Sequence, residues 1–118
     1  LGVIINQDGI LFFQDLILRV PVNQSVVEYA VGLVHKSRPN TVDATDFVKK
    51  YISWGAGPRA SQYLILGAKC HALKVGKYAP DIEDVKAVSA PILRHRIVKN
   101  YVAEADGLTT DNIINKIL

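Results

Sequence analysis

The sequence predicts an all-α fold, a small bundle of about five helices. Three observations carry this expectation. Apolar residues recur at helical spacing in several separate stretches, prolines and glycines fall between those stretches, and strand-type alternation never persists. A chain of 118 residues suits one domain with a real hydrophobic core. Hydrophobic residues make up 49% and charged residues 21%, the balance of an ordinary globular protein.

Residues 1–9 contain the turn-like run Asn6-Gln7-Asp8-Gly9 and read as a connector. Ile10 to Val20 reads as a short helix that Pro21 ends. A clearer helix runs from about Gln24 to Arg38, with Ser25, Glu28, Gly32, His35 and Lys36 on one face. Val27, Ala30, Val31 and Val34 lie on the other, and Pro39 stops it. His35 thus falls on the solvated side, with no partner at metal-ligand spacing, and no metal site is expected. Residues 40–57 are the least regular: Asp43-Ala44-Thr45-Asp46 reads as a loop, and Phe47 to Trp54 suits a short helix or an extended segment. From Pro58 to about Val75 the pattern is helical and apolar on most sides, with Leu64, Leu66, Gly67, Ala68 and Leu73. Such a helix belongs in the middle of a bundle, and Gly76 closes it. Asp81 is a good N-cap with Glu83 and Asp84 in the first turn. Ile82, Val85, Val88 and Ile92 form the buried stripe behind it, which Pro91 bends or divides. A final helix follows Thr109 and packs Ile113, Ile114 and Ile117.

Composition narrows the function. No apolar run approaches the roughly 18 residues that span a bilayer, and no signal-peptide layout is present. The single cysteine, Cys70, excludes an internal disulfide and sits in a mostly apolar helix, as a packed small side chain would. A net charge of +3 comes from lysines and arginines spread along the chain, without the basic block and interleaved aromatics of a nucleic-acid binder. The chain opens on Leu1 and has no methionine, which suggests a piece of a longer protein.

The run Trp54-Gly55-Ala56-Gly57-Pro58-Arg59-Ala60 is the most informative. Pro58 suits the first helical position and Gly57 the N-cap, so Arg59 projects from the first turn on a rigid backbone. A guanidinium there can meet a phosphate through its planar fork of donors. Spacing alone favours a plainer reading, an arginine that lies in solvent or meets a carboxylate.

Resemblance reverses that preference. The run is similar to the G-A-S-P-R-A signature in the C-terminal lid of MoxR-type AAA+ ATPases, where the arginine is the sensor 2 residue. Val20-Pro21-Val22, Val26-Val27-Glu28-Tyr29-Ala30 and Ser37-Arg38-Pro39 resemble the lid's first long helix and its exit. Glu83-Asp84-Val85 and Pro91-Ile92-Leu93-Arg94-His95-Arg96-Ile97 resemble the family's P-E-D-V and V-L-R-H-R-I elements. The ending from Ala103-Glu104-Ala105-Asp106-Gly107 to Thr110-Asp111-Asn112-Ile113-Ile114 resembles its tail. The likeness runs in order from about Leu11 to Leu118.

It implies that residues 1–9 connect to an N-terminal AAA+ core and that residues 10–118 are the helical lid. Arg59 is then the catalytic sensor, with Pro58, Gln62 and Tyr63 beside the nucleotide. The parent protein would use ATP and Mg²⁺ in a cytoplasmic ring of subunits, remodelling partner proteins together with von Willebrand factor A domain proteins. Arg59 could serve its own subunit or a neighbour. The chain itself carries neither G-x-x-x-x-G-K-[ST] nor an apolar strand ending in Asp-Glu, so alone it should not hydrolyse ATP. Two positions depart from the family: Gly57 stands where serine is usual, and Ala79-Pro80-Asp81-Ile82 replaces a Val-Thr-Pro pattern. Glycine caps less well than serine by only a few tenths of a kcal/mol, so the helix start should survive. Arg94, His95, Arg96 and Lys99 are the densest basic cluster and read as a solvated turn. Trp54 and Tyr51 read as core rather than as adenine contacts. The competing reading is a free-standing helical module that binds protein or nucleic acid.

Overall fold

The computed structural model describes residues 19–118. The expected connector 1–9 and nearly all of the expected helix Ile10 to Val20 lie outside the described residues. The first described helix, α1 (Gln24–Lys36), starts where the Asn23 side chain accepts a hydrogen bond from Ser25 N–H at 3.1 Å. Val26, Ala30, Leu33 and Val34 form its inner face. That stripe corrects the expected one: Val31 is exposed, and Val26 and Leu33 take the inward positions at i, i+4, i+7 and i+8 spacing.

The irregular stretch resolves into a helix followed by a strand. In α2 (Asp46–Tyr51) the Thr45 hydroxyl caps Val48 N–H and only Val48 is buried. The chain then extends as β1 (Ile52–Trp54), which pairs antiparallel with β2 (Val98–Lys99), Ile52 opposite Lys99 and Trp54 opposite Val98. This small ladder was not expected from the sequence. Strands of three and two residues are too short to show an alternating pattern.

Helix α3 (Arg59–Lys74) packs on α4 (Ile82–Leu93) and on α1, so it is the central helix of the bundle. Its inward face consists mostly of small residues, Ala60, Ala68 and Ala72 with Leu64, whereas Leu66 is exposed. Small residues bring the helices close: a Cβ on Gly67 would lie 2.7 Å from Ile92 Cδ1. The helix ends as expected at Gly76, whose φ of +84° suits a residue without a Cβ. Lys77 N–H then bonds Ala72 O at 2.8 Å, and Gly76 N–H bonds Leu73 O at 3.1 Å.

Asp81 caps α4 with a reciprocal box: its side chain accepts from Asp84 N–H, and the Asp84 carboxylate accepts from Asp81 N–H at 2.8 Å. Pro91 does not divide the helix: it lies in the last turn of α4, so the bond that it has no N–H to give to Ala87 O is lost near the end of the helix and not in its middle. Asp84 is only 1% exposed, and the sequence had placed it merely as a first-turn acid. His71 Nδ1 donates to it at 2.6 Å, and Lys77 Nζ lies 2.5 Å away. Burial pushes the carboxyl up, but Lys77, the Asp81 N–H and His71 outweigh it and hold the pKa at about 2. The end of α3 and the start of α4 are thereby joined through one buried carboxylate.

A short helix that the sequence did not reveal, α5 (Tyr101–Ala105), follows β2. The chain closes with α6 (Thr110–Ile117), which buries Ile113, Ile114 and Ile117 as expected. Among the described residues there are six helices, and their buried aliphatic side chains form one core. The all-α bundle expected from the sequence is present, with the two-stranded ladder as a local addition.

Candidate functional site

The site is the elbow between β1 and α3. Its first requirement is that the loop Gly55-Ala56-Gly57-Pro58 be held, since it is short and carries no capping side chain. The exit of α1 holds it. Ser37, fully buried, donates its hydroxyl proton to Val34 O at 2.6 Å and accepts from Ala56 N–H at 2.9 Å. Arg38 Nε donates to Ala56 O at 3.0 Å. Both backbone polar groups of Ala56 are therefore bound by consecutive residues of a different element. Gly55 makes this approach possible: a Cβ there would lie 2.5 Å from Ser37 O and 2.7 Å from Arg38 Cα. Ser37 and Arg38 were read from the sequence only as a helix exit. Their partner Ala56 is 18 and 19 residues away, and no local pattern announces such a contact.

Pro58 takes helical backbone angles (φ −59°, ψ −31°), and α3 opens at Arg59. The N-cap therefore falls at Pro58, one residue later than expected for Gly57. The carbonyl of Gly57 still accepts the first turn's bond, from Ala60 N–H at 3.0 Å. Space around Gly57 is open, so a serine would fit.

Arg59, Gln62, Tyr63 and Leu66 fall at i, i+3, i+4 and i+7 and share one exposed face of α3. The structure thus brings the expected site residues together, with the exposed Pro58 at their head. Among the described residues no hydrogen bond or ion pair engages the Arg59 side chain. Gln62 is likewise exposed. Tyr63 is less free, because the Arg96 guanidinium lies over its ring, 4.6 Å from the centroid, while Arg96 Nη1 donates to Ile92 O. A shallow depression of about 220 Å³ borders the elbow, lined by Val31, Val34, His35, Arg38, Pro58 and Ser61. His35 Nε2 meets Asp43 at 2.9 Å and holds that carboxyl below its ordinary range.

The remaining basic residues go elsewhere. Arg94 makes a two-pronged contact with Asp111 at 2.8 and 2.9 Å, which raises the arginine's pKa and lowers the aspartate's. Lys99 bonds Leu108 O and pairs with Glu104, and His95 is exposed. The cluster is a set of separate surface contacts, as a solvated turn would be. Trp54 overturns its expectation: it is 72% exposed. Ile52 takes the inward position of β1, and strict alternation would turn Trp54 to the same side, but the ladder is irregular between Ile52 and Trp54, so Trp54 lies outside, opposite the exposed Val98. Tyr51 is half-buried, tilted against Phe47 at 5.0 Å, with its hydroxyl donating to Asp106 at 2.8 Å. Among the described residues no group of three His, Cys, Asp or Glu side chains could hold a metal ion. No described helix is long and apolar enough to cross a membrane.

With this geometry in place, comparison with known proteins is decisive. The AAA lid domain family matches residues 45–117, more than half of the chain and all of the elbow. The chain belongs to the AAA lid domain family. Within that family the lid is of the MoxR type. It is 34% identical over 116 residues, 98% of this chain, to Chaperone MoxR1 of Mycobacterium tuberculosis, of which it covers 30%. It also superposes with a TM-score of 0.85 on the crystal structure of a candidate ATPase from Cytophaga hutchinsonii, at 34% identity. That match covers 93% of this chain and 33% of the other. The lid spans about a third of the length of the relatives it matches.

Proposed function

We propose that this lid is the C-terminal sensor 2 domain of a MoxR-type AAA+ ATPase, and that Arg59 is the residue it contributes to nucleotide hydrolysis. One observation carries the reading. Arg59 has no partner among the described residues, yet its backbone is held by the buried clamp on Ala56 three residues before it. A cation with a fixed base and a free head suits a charge that shifts between oxygens, as on the γ-phosphate during hydrolysis. ATP and Mg²⁺ would be held chiefly by a core outside this chain, reached through residues 1–9, with residues 10–118 forming the lid. Pro58, Gln62 and Tyr63 would border the nucleotide, Tyr63 through the edge that Arg96 leaves open. Loss of the γ-phosphate would release Arg59 and with it the lid, and so couple hydrolysis to movement. The name of the mycobacterial relative favours a chaperone-like role, and the family resemblance of the motifs extends the proposal to a cytoplasmic ring with neighbouring subunits and a von Willebrand factor A domain partner.

The test is Arg59→Ala in the full-length protein. Turnover should fall on the order of 100-fold or more, with the melting temperature unchanged. Arg59→Lys should restore little, because an ammonium lacks the planar fork. Lys36→Ala, on the solvated face of α1, should hydrolyse ATP normally. Normal turnover in Arg59→Ala would remove the sensor role.

A further inference from the structure

The exit of α1 and the start of α3 meet at a single residue, Ala56, and the way they meet assigns a role to Arg38. We propose that Arg38 is the positioning residue of this lid: through its Nε bond to Ala56 O it sets the aim of Arg59 without touching nucleotide. The inference rests on the sensor reading of Arg59.

Four observations lead to it. Ala56 is 1% exposed, and its N–H and C=O are both taken, the first by Ser37 Oγ and the second by Arg38 Nε. The start of α3 has no side-chain cap, so the local sequence does little to fix where Arg59 begins. Gly55 presses on the Ser37 and Arg38 backbone without room for a methyl group, so the loop cannot slide toward α1. Sliding away is opposed by the two bonds on Ala56. The depression lined by Val31, Val34, His35, Arg38, Pro58 and Ser61 leaves the flank of this joint without packed neighbours.

The bond involves Nε, not the outer nitrogens, and this makes a discriminating substitution available. In lysine the atom at that place along the side chain is a methylene, so Arg38→Lys keeps the stem and the charge but removes the donor. A charge-based role, such as contact with a phosphate, would survive in Arg38→Lys. A positioning role through Ala56 would not.

The experiment is a double-mutant cycle in the full-length protein, reading kcat and KM for ATP hydrolysis. Arg38→Lys and Arg38→Ala should each lower kcat by about tenfold, the scale of a small misplacement of a reacting group, with KM within about twofold. In the Arg59→Ala background neither should lower kcat further, because there is no longer an arginine to aim. Hydrogen exchange should also quicken in the segment from Ala56 to Ser61 of the Arg38→Lys protein. Arg38→Lys guards against a folding failure in Arg38→Ala, since it retains the packed stem. Wild-type kcat in Arg38→Lys would overturn the proposal, and so would losses that multiply with those of Arg59→Ala. If Arg59→Ala is impaired and Arg38→Lys is not, only the positioning role falls. Normal turnover in Arg59→Ala would remove the sensor reading itself.

Discussion

Replacing Gly55 with alanine tests the joint that places Arg59. A Cβ at that position would lie 2.5 Å from Ser37 O, 2.6 Å from Ser37 C and 2.7 Å from Arg38 Cα. All three are backbone atoms, so no rotamer change can make room. Ordinary carbon contacts lie at about 3.5 Å or more, so the loop and the α1 exit must part by roughly 1 Å. The bonds from Ala56 N–H to Ser37 Oγ and from Arg38 Nε to Ala56 O stand at 2.9 and 3.0 Å. That separation would carry them beyond useful hydrogen-bond length. Overpacking of this kind costs about 1–3 kcal/mol, and two lost hydrogen bonds add about 1 kcal/mol each. The expected destabilisation is about 3–5 kcal/mol, a large part of the 5–15 kcal/mol of a typical domain. Urea unfolding of this chain followed by far-ultraviolet circular dichroism measures it. Gly57→Ala serves as the control because nothing lies within 4 Å of its Cβ. A loss below about 1 kcal/mol in Gly55→Ala, or equal losses in the two variants, would refute the argument that the elbow is pinned by this contact.

Two further outcomes are expected. Asp84 has its pKa depressed from 3.8 to about 2, so its contribution is complete above pH 4 and disappears as the pH falls through 2. It amounts to at most about 2 kcal/mol, reduced because Lys77 and His71 reach solvent; Asp84→Asn should flatten the stability profile over that window in urea titrations. Gly57→Ser should leave the fold intact and change the unfolding free energy in urea titrations by less than about 0.5 kcal/mol, since the space is open and the helix is capped one residue later, at Pro58.

Much of this lid could be read from its sequence, because helices announce themselves locally. Apolar spacing and Asp81, Thr109 and Gly76 located three of the helix boundaries, and Pro58 followed by Arg59 located the elbow to within one residue. The exposed face of Arg59, Gln62 and Tyr63 also follows from spacing once the helix is granted. What depends on distant partners could not be read. The outward turn of Trp54 goes with an irregularity in its ladder to Val98, 44 residues on in the chain. The burial of Asp84 depends on His71 and Lys77 arriving from the other side of a helix junction. The hold on Ala56 depends on Ser37 and Arg38 at the end of another helix. Periodicity and capping act within one turn of the chain, so the sequence by itself determines the longer helices and where an arginine leads one of them, but not the short helices α2 and α5. Only the packing of those helices decides which polar groups find partners, and therefore how firmly that arginine is aimed.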